Sequence, residues 1–238
     1  MSSERPTGSS RNRVSVVIAT AFREHTLPNA LRSLATQSRV PDEVIVVDGA
    51  PAPGAEATVS ESRDALGLNL LYQRWAPPSA AVQRNVGVSA TSGEIIVFLD
   101  DDAYPEPDCL EKVVRVFEED SDFRIGGVGV LIRNQPCLPP SPLAKRWFDF
   151  LADESRPSYA GMVIGPAIPI GPEPTPHGNL VPTEWLMSGC VAYRRTALPI
   201  GVFNQRFSGN SYMEDVDLSV RVARRFNLVV HTGAYIFH

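Results

Sequence analysis

Glu94-Ile95-Ile96-Val97-Phe98-Leu99-Asp100-Asp101-Asp102 decides how the chain is read. Five apolar residues in a row, Ile95 to Leu99, mostly β-branched or aromatic, describe a buried strand. The strand runs directly into three carboxylates. Like charges at the end of a buried element repel one another and are costly to desolvate, so a positive partner is expected. A hard divalent cation, Mn²⁺ or Mg²⁺, suits the place, because it prefers carboxylate oxygens and keeps open positions for phosphates. In an open α/β sheet, ligands bind beyond the carboxyl ends of the strands. Taken alone the triplet reads equally well as a solvated acidic turn, since Asp-Ala-Tyr-Pro is turn chemistry. The surrounding chain decides.

Upstream, Val14–Ala19 is a first strand, and Thr26 begins a helix with Leu27, Ala30, Leu31 and Leu34 on one face. The intervening Thr20–His25 has the length of a βα loop but no glycine, which excludes a dinucleotide fingerprint. Val44–Val47 is a second buried strand ending in Asp48-Gly49. That carboxylate suits a base or ribose, or an ordinary Asp-Gly turn. Glu56–Leu66 is a weaker helix and Leu70–Tyr72 a short strand. Ser79 caps a helix running to about Ala90 through Arg84, Asn85 and Gly87. After the aspartates, Asp108 opens a helix with Glu111 three residues on, a capping-box pairing, and a stripe of Leu110, Val113, Val114 and Phe117. Strands and helices alternating with short connections predict a parallel sheet covered by helices.

The second half reads differently. Gly126–Ile132 is a strand. Residues 135–183 hold most of the 21 prolines and one helical patch around Pro142–Leu151. Long irregular segments of this kind are functional loops or are disordered. Trp185–Tyr193 reads as a strand and Asn204–Tyr212 as a polar loop. Glu214-Asp215-Val216-Asp217 begins a helix to about Phe226, where acids in the first turn also suit the helix dipole. Leu228–His231 and Ala234–Phe237 are the last strands. The chain stops at His238, directly after an apolar run, as a trimmed chain or one with a native continuation would. There is no internal repeat. Residues 1–13 are expected to be a disordered tail and 14–238 a single domain, with 14–117 its nucleotide-type half and 125–238 completing the sheet.

Composition narrows the class. At 43% hydrophobic and 21% charged the chain is an ordinary globular protein, and its net charge of −5 argues against nucleic acid as a partner. No apolar run approaches the roughly 20 residues of a membrane span, and the polar start lacks a signal-peptide core. Cys109, Cys137 and Cys190 form no CxxC pair and fit a reducing cytoplasm.

Four stretches, in this order, resemble the family-two glycosyltransferases. They are Val14–Arg23, Pro41–Asp48, Gln83–Gly87 with Ser92-Gly93-Glu94 and Phe98–Asp102, and Met213–Leu218. The resemblance implies a GT-A fold, a Rossmann-like, mostly parallel central sheet flanked by helices with a mixed second half. It also implies a hexosyltransferase-like enzyme that moves a sugar, with inversion, from a nucleoside-diphosphate sugar to an acceptor hydroxyl. By that resemblance Asp100 and Asp102 are the ends of a DXD motif, with Asp101 on ribose or metal. Asp215 is the general base, Glu214 its close alternative, and Asp217 a helix-start residue. His238 matches a late metal-ligand histidine, or is an inert terminal residue. Ala19 and Thr20 lie near the base through their backbone, Arg23 or Glu24 near ribose or base, and Asp48 near the base. Arg84 lies near the diphosphate or pairs with an acidic neighbour. Trp185, Ser188 and Gly189 form the acceptor side, with Trp147 a weaker candidate and 125–238 the acceptor and catalytic half.

A UDP-sugar donor is favoured, with GDP or dTDP as alternatives. The acceptor is a carbohydrate, a lipid-linked or a small molecule, and membrane association is peripheral at most. Two departures matter. A single aspartate follows the second strand where the family often has two, which bears on uracil recognition. No Gln-x-x-Arg-Trp motif follows Glu214-Asp215, so processive synthesis is not expected. Competing readings are a sugar-nucleotide nucleotidyltransferase, which needs a glycine-rich loop absent from Thr20–His25, and an Asp-x-Asp phosphatase, whose motif ends the first strand. A non-catalytic nucleotide- or sugar-binding module on the same fold is the reading from another class.

Overall fold

The apolar runs of the first half become strands β1 (Val14–Thr20), β2 (Glu43–Asp48), β3 (Leu70–Arg74) and β4 (Ile95–Asp100). They lie parallel in the order β3-β2-β1-β4. The computed structural model describes residues 12–135, 146, 161–164, 168–169, 180–207 and 213–238. Most of the expected tail, most of 135–183 with Trp147 and all of the Pro142–Leu151 patch but Arg146, and residues 208–212 lie outside them. Strands β5 (Tyr104–Pro105), β6 (Ile125–Ile132), β7 (Val163–Ile164), β8 (Ile168–Pro169), β9 (Leu180–Thr183), β10 (Cys190–Arg194) and β11 (Asn227–Phe237) follow. β10 pairs antiparallel with β4 and carries the same sheet on to β6, β11 and β5, so both halves of the chain share it. Among the described residues no helix is long and apolar enough to cross a membrane.

The side-chain period of two along β1 sends Val16 and Ile18 to one face and Val17 to the other, and each face carries its own core. Helix α1 (Leu27–Ala35) buries Leu27, Ala30, Leu31 and Leu34, the stripe its spacing predicts. Helix α2 (Ala55–Leu66) flanks α1 and β3. Helix α3 (Ala80–Ser89) packs on β1 and β2 over Gly87, where a Cβ would come within 2.3 Å of Val17 Cγ1. Helix α4 (Cys109–Glu119) buries Leu110, Val113, Val114 and Phe117, and α5 (Glu214–Ala223) buries Leu218 and Val222. Phe98, fully buried at the centre of β4, meets Phe203 edge-on at 4.9 Å and Tyr193 at 6.1 Å. Burying such a ring contributes about 1.5–3 kcal/mol.

Three local expectations are corrected. Trp185–Tyr193 is extended strand only from Cys190. Before it, the Leu186 N–H donates to Ser219 Oγ and the Ser188 N–H to Asp215, so these donors face α5 rather than a ladder partner. The last two strands are one, β11, with a register shift between Val230 and Tyr235. No capping box forms at Asp108. Its carboxylate pairs with Lys112 at 2.8 Å, while Glu111 accepts from Ser38 Oγ and Arg115.

Candidate active site

The parallel ladder places the ends of β1 and β4 side by side, with Ala19 opposite Asp100. A cleft of about 390 Å³ opens there, lined among others by Ala19, Thr20, Arg23, Gln83, Asp101 and Ser188. A larger hollow of about 690 Å³ lies between α2 and the outer strand β3 and contains none of the three aspartates.

Each aspartate has a different environment. Asp101 turns inward and is buried, accepting from Thr20 Oγ1 at 2.6 Å and from Arg23 at 3.2 Å. Burial pushes its carboxyl above the ordinary range, and the Thr20 hydroxyl and Arg23 oppose that. Asp100 accepts from Arg84 at 2.7 Å, and its own N–H donates to Gly189 O at 3.1 Å. Asp102 takes Arg23 on Oδ2. The charges of Asp101, then Asp102, hold the Arg23 guanidinium still more firmly protonated than usual.

His238 follows the last residue of β11 and lies beside them. Its backbone is clamped by Asn134, which accepts the His238 N–H at 3.1 Å and donates to the His238 carbonyl at 2.7 Å. The imidazole Nε2 then lies 3.2 Å from Asp102 Oδ1 and 3.9 Å from Asp100 Oδ2. One ligand atom from each of Asp100, Asp102 and His238 lies within 4.8 Å of the others. Asp102 Oδ1 is buried yet accepts no hydrogen bond. A buried carboxylate oxygen in that state is costly unless a cation meets it. Two carboxylates and an imidazole are a fitting donor set for Mn²⁺ and an adequate one for Mg²⁺.

Across the cleft, α5 begins with Glu214 and Asp215 directly after Met213, a non-glycine residue at φ 76°. Left-handed backbone of this kind costs roughly 1–3 kcal/mol and concentrates at functional sites. Glu214 is buried against Arg84, whose guanidinium thereby bridges Glu214 and Asp100 and lies 5.3 Å from the Phe203 ring centre. Burial raises the Glu214 carboxyl and Arg84 draws it back. The guanidinium contacts both acids directly. Asp215 accepts from its neighbour Val216 N–H at 2.8 Å and from Ser188 N–H at 3.3 Å. Burial raises its pKa and those N–H donors oppose the rise. Asp217 pairs with Arg221 one turn along the helix.

Of the expected residues, Ala19, Thr20, Arg23, Arg84, Asp100, Asp101, Ser188 and Glu214 line the cleft, while Asp102 and His238 adjoin Asp100, Gly189 accepts from Asp100 N–H, and Asp215 accepts from Ser188 N–H. Three expected residues point elsewhere. Asp48 is buried with both oxygens engaged, by Ala50 N–H, Ala55 N–H and Tyr72 Oη, which ties the end of β2 to the start of α2. Glu24 packs on Gly54, where a Cβ would come within 1.8 Å of its Oε1. Trp185 lines a small apolar hollow with Leu131, Met187 and Val230.

Two residues that hold the site's backbone were not among the expected ones. Gln83 is buried and donates to both Thr20 O and Val47 O at 2.8 Å, fixing the ends of β1 and β2. Its signal was its place in Gln83–Gly87. Asn134 gave no signal at all.

The model for "Glycosyl transferase family 2" matches residues 15–140, more than half of the chain. An "Uncharacterized glycosyltransferase" of Haemophilus influenzae is 31% identical over 110 residues, which are 46% of this chain and 36% of that protein. Among solved structures, GalNAc-T7 with UDP, GalNAc and Mn²⁺ is similar at a TM-score of 0.67 and 14% identity, covering 97% of this chain and 44% of that one. Mannosyltransferase PcManGT from Pyrobaculum calidifontis, in complex with GDP-Man and Mn²⁺, follows at 0.60 and 19% identity, covering 94% and 58%. S. aureus TarS 1-349 gives 0.62 and 18%, covering 94% and 60%. The chain therefore spans less than two thirds of each of these relatives. The expected GT-A architecture is the one observed. Matched over most of its first half and through the aspartates of β4, the chain belongs to glycosyl transferase family 2.

Proposed function

We propose that the chain transfers a sugar from a nucleoside-diphosphate donor to an acceptor hydroxyl with inversion, assisted by a divalent metal ion and by Asp215 as general base. The observation that carries this reading is the approach of Asp100, Asp102 and His238 to within 4.8 Å at the rim of a cleft whose facing wall is the start of α5. Mn²⁺ or Mg²⁺ held by those three residues would supply Lewis-acid neutralisation of the donor diphosphate. The Mn²⁺ present with UDP in GalNAc-T7 and with GDP-Man in PcManGT supports this assignment.

Asp215 accepts the proton of the acceptor hydroxyl as it attacks the anomeric carbon. Its burial raises its basicity, and the Ser188 N–H orients one of its oxygens. Glu214 is engaged by Arg84, which favours Asp215 over it as the base. Arg84 positions Asp100 and Glu214 rather than the diphosphate. Attack from the face opposite the leaving diphosphate inverts the anomeric centre. Thr20, Ala19 and Gln83 shape the donor wall, and Ser188 with Gly189 the acceptor side. Asp48, turned from the cleft, offers no carboxylate to uracil, so UDP, GDP and dTDP are all candidate donor nucleotides.

Calorimetric titration with UDP, GDP and dTDP, each with Mn²⁺ and again with EDTA, tests the donor half. Metal-dependent binding of at least one is expected. Absence of binding for all three would remove the proposal.

A further inference from the structure

Asp102 presents its two oxygens to different partners. Oδ2 is held by Arg23, while Oδ1 faces His238 Nε2 and accepts no hydrogen bond. The three aspartates are thus served by two arginines of unlike character. The side chain of Arg84, on Asp100, is only 5% exposed, whereas that of Arg23, on Asp101 and Asp102, is 52% exposed. Moving Arg84 would strand Glu214 and Asp100. Moving Arg23 leaves no buried void, and Asp101 keeps its 2.6 Å bond from Thr20 Oγ1. Arg23 also lines the cleft itself, on the loop carried by Phe22, whose φ of 60° is unusual for a bulky residue.

We infer that Arg23 is an exchangeable counter-cation. It holds Asp101 and Asp102 in place, and leaves Asp102 for the donor's diphosphate when Asp100, Asp102 and His238 hold a divalent ion. The inference rests on the metal- and nucleotide-binding reading above. Two cations sharing one carboxylate repel each other. A guanidinium released at the cleft wall finds in a diphosphate a partner that matches its planar fork. Arg23 therefore opposes the metal while nucleotide is absent and favours the nucleotide once metal is bound, which makes the two bind cooperatively.

The test is Mn²⁺ binding to the full chain, read by the electron paramagnetic resonance of free Mn²⁺, with and without UDP or GDP. It uses wild type, Arg23→Gln, Arg23→Lys and Asp102→Asn. Without nucleotide, Arg23→Gln should bind Mn²⁺ about tenfold tighter, the scale of a modest coupling energy. At saturating Mn²⁺ the same variant should bind nucleotide about tenfold weaker, by the same coupling. Arg23→Lys should keep the wild-type direction of both, and Asp102→Asn should lose Mn²⁺ binding. Unchanged or weaker Mn²⁺ binding by Arg23→Gln, or both affinities moving the same way, would overturn the exchange while the metal site stands. If wild type takes up no Mn²⁺ with or without nucleotide, the metal reading itself fails and the exchange goes with it.

Discussion

Replacing Arg84 with Met removes the cation that offsets a buried acid, and the consequence should depend on pH in a direction the geometry fixes. Of its two partners, Asp100 keeps 26% side-chain exposure and can rehydrate, whereas Glu214 keeps 6% and cannot. Breaking one side of a buried ion pair costs about 3–5 kcal/mol. At about 2–4 °C per kcal/mol for a domain of this size, Tm should fall by roughly 6–20 °C. Burial already pushes the Glu214 carboxyl above its ordinary range with Arg84 in place, and without Arg84 it rises further. A carboxyl whose folded pKa exceeds its unfolded value imposes no penalty below the unfolded value and the full penalty above the folded one. The variant should therefore be most destabilised near pH 8 and partly recovered near pH 5. Adding Glu214→Gln should recover much of the loss at pH 8, because no charge is then left buried. Thermal and urea denaturation of wild type, the single variant and the double variant at both pH values decide it. An equal loss at both pH values, or a double variant no more stable than Arg84→Met, would refute the assignment of the cost to Glu214.

Three further outcomes are expected. Asp215→Asn should spare nucleotide binding, cut transfer by about 10²–10⁴-fold, and raise Tm near pH 8 but not near pH 4. The sign follows from burial holding the Asp215 pKa high, which destabilises the charged form in the folded state. The acid limb of wild-type transfer should for the same reason lie above the ordinary aspartate range. Asp48→Asn should cost about 1–3 kcal/mol by disturbing three buried hydrogen bonds while leaving nucleotide affinity unchanged. A calorimetric loss of UDP binding without a loss of stability would restore Asp48 to the base site. Gly87→Ala should destabilise by about 1–3 kcal/mol through overpacking, since the added Cβ would meet Val17 Cγ1 at 2.3 Å. A variant as stable as wild type in urea would show that α3 can lift from β1 without penalty.

Hydrophobic periodicity carried the sheet and helices because every residue of β2 and nearly all of β1 and β4 are buried. Their apolar runs have no other satisfactory place. The aspartates were legible for the converse reason, as charges at the end of a run that has to be buried. Periodicity carries no such information about which donor a given acid meets. Asp48 and Asp100 both end parallel strands neighbouring β1, yet one is consumed by its own loop and Tyr72 while the other meets Arg84. The resemblance puts Trp185 at the acceptor, where an aromatic face suits a sugar, but the same face suits the apolar hollow beside Val230. Gln83 and Asn134 act through backbone carbonyls and N–H groups of residues 63 and 104 positions away. Contacts to main chain leave no complementary side chain in the sequence to announce them.

The placement of Arg84 joins what the sequence separates. Asp100 belongs to β4, and Glu214 adjoins Asp215 on α5, so one guanidinium connects the carboxylate at the end of β4 to the helix that carries the proposed base. Asp215 also receives Ser188 N–H, and the next residue's carbonyl accepts from Asp100 N–H. The two walls of the cleft are therefore tied twice, once through side chains and once through the backbone of the Ser188-Gly189 turn. A displacement of β4's end relative to α5 would have to break one of the two Arg84 ion pairs and one of the two hydrogen bonds of the Ser188-Gly189 turn. The proposed proton acceptor and the carboxylates proposed to hold the metal thus keep a common frame. Oriented groups contribute to a displacement reaction only while that frame holds.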